Sequence, residues 1–161
     1  MRRLIFGLGL LGALATSGAN AASDPAFGRW VVENGKAVIE IAPCGQNACG
    51  QLVWLQNPLT ANGETKRDLE NPDPGKRFRP LCRLQLLTGL RRTGPGMWED
   101  GEIYSTRDGR TFGFQIERVE GETLVARGFL GIALLGKTQR WTRDDGMHQN
   151  CVVKDSPGSD R

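Results

Sequence analysis

Apolar and polar residues alternate along much of the chain in short runs, and each run ends at a turn signal. The signals are Asn34-Gly35, Asp100-Gly101, Asp108-Gly109 and Glu120-Gly121; glycine after a polar residue suits the backbone of tight hairpin turns. The runs predict strands over residues 29–33, 37–42, 51–56, 96–99, 102–106, 111–118, 123–129 and 137–143. Residues 111–118 alternate most clearly: Phe112, Phe114 and Ile116 share one face, Thr111, Gln115 and Glu117 the other. That is the pattern of a half-buried strand. About eight short strands in one small domain predict an all-β fold, closed as a single up-and-down barrel that leaves no exposed edge.

Three stretches break the alternation. Residues 57–80 are a polar segment of 24 residues containing Asn71-Pro72-Asp73-Pro74-Gly75, predicted to be a long loop. In the next stretch Leu81, Leu84 and Leu87 fit one helical face and Gly89 can end it, so a short helix plugging the barrel is expected, with an alternating strand as the rival. Residues 129–136 are apolar and read as core strand plus turn; an exposed tip there would instead mark a ligand mouth, a membrane surface or a partner site. The tail after Asp144 is polar and expected to be loose apart from Cys151.

The N-terminus changes the picture more than the overall composition does. Met1-Arg2-Arg3 precedes an apolar run of twelve residues and then the small-residue site Ala19-Asn20-Ala21. This is the layout of a secretory signal, and the apolar run is too short to span a bilayer. The expected organisation is a signal peptide over 1–21, a barrel domain over 22–143 and a polar tail over 144–161, in a periplasmic protein with no transmembrane segment after processing. Removing Arg2 and Arg3 takes the net charge from +3 to +1, with 19 basic against 18 acidic residues. A balance so near neutral gives no ground for nucleic-acid binding.

Export also decides how the cysteines read. Cys44, Cys49, Cys82 and Cys151 are an even set bound for an oxidising compartment, where disulfides persist. Cys44 and Cys49 close a six-residue ring between two strand-like runs, worth only about 2 kcal/mol by loop entropy. Redox chemistry favours C-x-x-C at a helix start, and zinc needs further ligands, whereas His148 is the sole histidine. Cys82 and Cys151 pair only if the tail folds back.

Candidate chemistry is sparse. His148 lies in the tail without a placed nucleophile and reads as solvated. Asp68, Glu70 and Asp73 offer the paired carboxylates of a hydrolase, with a solvated loop as the blander account. Lys76-Arg77-Phe78-Arg79, followed by Arg83, Arg91 and Arg92, offers anion contacts or a solvated basic face. No glycine-rich phosphate loop, metal set or cofactor motif is present, so neither catalytic residues nor a cofactor are expected.

Taken together, Gly28-Arg29-Trp30, Pro43-Cys44-Gly45, Cys49-Gly50, Val53-Trp54-Leu55, Asn71-Pro72-Asp73-Pro74, Arg79-Pro80-Leu81-Cys82 and the run from Gly131 through Gly136-Lys137-Thr138-Gln139 to Trp141 resemble the bacterial domain of unknown function 2147. The resemblance covers about residues 26–143 and implies an exported lipocalin-like barrel, with no reaction, ligand or catalytic residue attached. In the wider lipocalin-like group a G-x-W on the first strand accompanies an arginine on the last. Antiparallel closure puts Arg143, rather than Arg140, beside Trp30, where a guanidinium over the indole closes that end. The function expected is binding of a small, mostly apolar or amphipathic ligand. Trp54, Phe112, Phe114, Ile116 and Trp141 would supply the apolar surface, with Arg77 and Arg79 at the rim. The alternatives are an envelope protein–protein interaction module with a filled barrel and, behind it, a hydrolase using the loop carboxylates.

Overall fold

The computed structural model describes residues 23–152; the signal peptide expected over 1–21 and the end of the tail lie outside the described residues. Eight antiparallel strands follow in chain order: β1 (Gly28–Val31), β2 (Ala37–Cys44), β3 (Asn47–Leu55), β4 (Gln85–Gly94), β5 (Met97–Ser105), β6 (Arg110–Glu120), β7 (Thr123–Phe129) and β8 (Lys137–Arg143). Each pairs with the next, and β8 returns to β1, so the sheet is a closed up-and-down barrel. Cys44 and Cys49 are bonded across the β2–β3 hairpin.

Two of the expected elements take a different form. No helix spans 81–89; the chain enters β4 at Gln85, and helix is confined to 3₁₀ turns at Pro74–Lys76 and Ala133–Leu135 among the described residues. The leucine spacing that imitates a helix arises without one: Leu81 and Leu84 lie in the turn before β4, where the Leu84 amide donates to the Leu81 carbonyl at 3.1 Å and Arg83 sits at φ 65°, and Leu87 is already in the strand. A bulge then carries the three-residue spacing on to Leu90. Between the partners Leu87↔Gly50 and Leu90↔Ala48, β4 advances three residues while β3 advances two. Gly89 absorbs the extra residue at φ 70°, so both leucines still point inward. Likewise Asp100-Gly101 is not a turn. It is a bulge in one continuous strand, with Asp100 at φ 58° and the β5–β6 register shifting between Trp98 and Gly101. Both glycines opposite the inward leucines are required by space: a Cβ on Gly50 would lie 2.6 Å from Leu87, and one on Gly101 2.6 Å from Leu90.

The barrel interior is filled. Trp30, Trp98, Phe114 and Trp141 form one buried cluster with Ile39, Ile41, Leu87, Leu90, Ile116 and Leu124. At one end the N-terminal segment crosses the opening. Trp30 Nε1 donates to the Ala26 carbonyl at 2.8 Å, and Phe27 packs on Trp98 with ring centroids 5.4 Å apart. Trp30 stands opposite Arg143 in the β1–β8 register, and the Arg143 guanidinium lies 4.0 Å from the indole centroid while donating to the Pro25 and Phe27 carbonyls. Gly28 permits this approach: at φ 114° a side chain is strained, and its Cβ would sit 3.0 Å from Arg143. Thus the G-x-W pattern is the imprint of one closed end.

Asp24 fastens the same segment. Its nearly buried carboxylate accepts from the Ala26 and Gly96 backbone amides, from Trp98 Nε1 and from Arg92. Burial pushes its pKa up, but the hydrogen bonds outweigh it and hold the carboxyl below the ordinary value.

Two outcomes follow from this end. Trp30→Ala removes a fully buried aromatic and should lower the unfolding free energy by about 3–5 kcal/mol in chemical denaturation. Because the folded pKa of Asp24 is depressed, its contribution is complete above the unfolded carboxylate value of about 4 and is lost as pH falls through the lower folded value. Asp24→Asn should therefore be less stable at neutral pH and show a flatter acid limb; parallel acid limbs for the two proteins would refute that role.

Candidate functional site

Three of the five candidate interior residues, Phe114, Ile116 and Trp141, serve as core. Phe114 and Trp141 pack with centroids 5.5 Å apart, Ile116 joins the same cluster, and Trp141 Nε1 donates to Gln139 Oε1 at 2.9 Å. Phe112 is half-buried with the Arg110 guanidinium 5.6 Å from its ring centroid. Trp54 is not with them. It packs against His148 with the rings tilted and their centroids 4.2 Å apart, so the sequence groups residues that the fold separates.

Arg77 and Arg79 do not reach over the barrel mouth as free cations. Asp68, which is 0% exposed, accepts from Tyr104 at 2.7 Å, Asn71 Nδ2 at 2.7 Å and Arg79 at 2.9 Å. Asn71 in turn accepts from Arg77 through its backbone carbonyl at 2.7 Å. The expectation of a solvated carboxylate is therefore corrected at Asp68: it is the anchor that ties the 57–80 loop to β5. With its oxygens occupied by three donors, it serves as an anchor rather than a free base. Burial and the Asp68 hydrogen bond push the Tyr104 phenol up to about 12. Glu70 and Asp73 stay exposed, Asp73 capping the Pro74–Lys76 turn and pairing with Lys76 at 3.4 Å. The loop also packs closely on the β5–β6 turn, where a Cβ on Gly109 would lie 1.9 Å from the Glu70 carbonyl oxygen.

The tail is strapped down, not loose, as far as it is described. Cys82 and Cys151 are bonded, and the Cys151 amide donates to the Val53 carbonyl at 2.8 Å. Asp144 has a buried side chain that accepts from Arg29 at 2.9 Å and contacts His148 Nδ1 at 2.7 Å. Burial raises the Asp144 pKa, but His148 and Arg29 outweigh it, so the carboxyl is held low and Nδ1 is the donor. His148 is thus bound between a carboxylate and Trp54 rather than solvated. Where the tail crosses the outside of β2 and β3, Glu40, Gln51, Val53, Arg83 and Asn150 line a pocket of about 180 Å³.

The opposite end from Trp30 carries the connections β1–β2, β3–β4, β5–β6 and β7–β8, as up-and-down order requires. Residues 130–135 lie there, and the core-strand reading of this stretch ends at Phe129: Leu130 is 52% exposed, Ile132 60%, Leu134 80% and Leu135 78%. The turn beneath is well held. Arg127 donates to the Ala133 and Leu134 carbonyls and to Thr138, and Gly136 fits under Phe129, where a Cβ would lie 2.8 Å from that side chain. Leu69 and Phe78 are exposed on the long loop at the same end.

Tyr104→Phe removes one donor to a buried carboxylate and should cost about 1.5–3 kcal/mol. Because that carboxylate anchors the loop, amide exchange should quicken at 66–79 before it does in β5 or β6. A uniform change across the barrel would show that the network does not specifically hold the loop.

No curated protein matches the chain. A solved structure of protein HP1028 from the human pathogen Helicobacter pylori, described as belonging to the lipocalin family, is similar to it with a TM-score of 0.65 and 20% identity, covering 75% of this chain and 84% of that one. That likeness bears on the barrel fold. The profile of the bacterial family described as "Uncharacterized protein conserved in bacteria (DUF2147)" matches residues 28–143, the span from the Gly28 clamp to Arg143, and the chain belongs to that family.

Proposed function

We propose that the chain is an exported lipocalin-like binding module of the periplasm that engages an anionic lipid surface through its rim, rather than enclosing a ligand in its barrel. The observation that carries this is the ordered, exposed aliphatic turn at 130–135. Contiguous apolar side chains displayed on a fixed backbone are unusual on a soluble surface unless something covers them. Burying each of these leucines or the isoleucine is worth roughly 1.5–3 kcal/mol. Lys137 follows the turn directly, while Arg107 and Arg110 stand at the neighbouring β5–β6 connection. Basic residues beside an apolar tip favour an anionic headgroup layer, by about 1 kcal/mol each near the surface.

The filled interior supports the rim over an enclosed ligand, because Phe114, Ile116 and Trp141 are already packed against one another and their neighbours. Two disulfides suit an oxidising compartment. Among the described residues no helix is long and apolar enough to cross a membrane, and a surface contact needs none.

Co-sedimentation with phosphatidylcholine vesicles, with and without phosphatidylglycerol, tests the reading. Binding is expected with the anionic vesicles, falling as salt rises, and should be abolished in a Leu134→Asp, Leu135→Asp variant whose circular dichroism is unchanged. Absence of binding to either vesicle would overturn it and favour a protein partner at the rim.

A further inference from the structure

The pocket under the tail is chemically two-sided. Asn150 Oδ1 accepts from Arg29 at 2.7 Å, which leaves the Asn150 Nδ2 donors without a protein partner. Gln51 Nε2 donates to the Arg83 carbonyl at 2.7 Å, which leaves Gln51 Oε1 as a free acceptor. Glu40 stands opposite Arg29 in the β1–β2 register, yet Arg29 is committed to Asp144, Asn150 and the His148 carbonyl. Among the described residues neither the Glu40 carboxylate nor the Arg83 guanidinium has a hydrogen bond or ion pair, and they are not joined to each other. One cavity therefore holds a cation with a free amide donor and an anion with a free amide acceptor.

The backbone that presents Arg83 is held in place at some cost. Arg83 sits at φ 65°, a region a long side chain seldom adopts, and such outliers persist where neighbouring bonds enforce them. Here the Arg83 amide donates to the Leu52 carbonyl at 2.7 Å, the Leu52 amide to the Leu84 carbonyl at 2.9 Å, and Gln51 binds the Arg83 carbonyl. The Cys82–Cys151 bond does the rest: Arg83 follows one bonded cysteine and Asn150 precedes the other. Thus the disulfide brings the two donors of the pocket together.

We propose that this pocket binds a small free α-amino acid, with its carboxylate on Arg83 and Asn150 Nδ2 and its ammonium on Glu40 and Gln51 Oε1. Size agrees: about 180 Å³ accommodates roughly six groups of water size, at about 30 Å³ each, which suits the backbone of an amino acid such as glycine, alanine or serine, in a pocket open to solvent on one side. The proposal does not rest on the rim, which lies at the barrel end while this site lies on its side.

Titration of the ¹⁵N-labelled, oxidised protein with L-alanine, followed by NMR, tests it. Saturable shifts are expected at the amides of Gln51, Arg83 and Asn150, with acetate and methylamine alone producing none at matched concentration. Glu40→Gln and Arg83→Gln, both surface changes, should each weaken binding by about tenfold or more, the usual consequence of losing a charged hydrogen-bond partner. A Cys82→Ser, Cys151→Ser variant should lose binding while the spectrum of β5–β8 is retained. Absence of saturable shifts, equal affinity in either single variant, or the same response to acetate would each overturn the proposal.

Discussion

Closure of the barrel depends on a short seam. β1 has four residues and meets β8 through two register pairs, Trp30↔Arg143 and Val31↔Thr142. So little backbone pairing cannot by itself hold a sheet closed. Side chains at the seam supply the difference: the Trp30 indole fills the interior, Arg143 lies on its face, and both reach back to carbonyls of the segment that crosses the opening. Gly28 is the residue that makes the seam thin enough for this. With the end closed from within by aromatic bulk, the interior side chains of all eight strands pack into one core.

What distinguishes this barrel then lies in the segments attached outside, and the attachments share one device. The N-terminal segment, the long loop and the tail are each fixed by a buried aspartate, respectively Asp24, Asp68 and Asp144, paired with Arg92, Arg79 and Arg29. Each carboxylate also takes donors of a second kind: Trp98 for the first, Tyr104 and Asn71 for the second, His148 for the third. A buried charge is costly unless it is paired and hydrogen-bonded. Satisfied in this way, it gives a polar segment with few apolar side chains a single docking position on the barrel.

The parts of the fold legible in the sequence are those with short-range causes. Period-two alternation in β6, Gly28-x-Trp30 and the Cys44–Cys49 spacing all translate directly into local geometry. The strand number came out right by compensation. The pattern splits β5 at Asp100-Gly101 and omits β4, because bulges at Asp100 and Gly89 each disturb the alternation by one residue. Asp68 and His148 read as solvated for a different reason: Tyr104 and Trp54, which pack against them, are 36 and 94 residues away, and their nearer partners Asn71 and Asp144 are polar residues that carry no signal of burial. Asn71-Pro72-Asp73-Pro74 was a signal of an ordered loop, since Asn71 turns back on the Asp73 amide and reaches Asp68. Nothing of comparable strength marked the tail except the even cysteine count.

The two disulfides have unequal work, and the inequality orders the outer surface. Cys44–Cys49 joins strands that already pair along the whole hairpin, so the bond adds little to a contact the backbone makes unaided. Cys82–Cys151 spans a sequence separation of 69 residues; closing so long a loop restricts the unfolded chain by more than 4 kcal/mol in the entropic account. It acts where backbone pairing is thinnest, since the end of the described tail meets β3 through the single Cys151 amide bond to Val53. Without that covalent bond the polar tail would rely on Arg29, which binds Asp144, Asn150 and the His148 carbonyl, on the Trp54–His148 contact and on the one backbone bond to Val53. With it, residues drawn from β2, β3, the approach to β4 and the tail share one fixed wall. The outside of a filled barrel can then be as well ordered as the inside, and a binding surface there needs no cavity in the core.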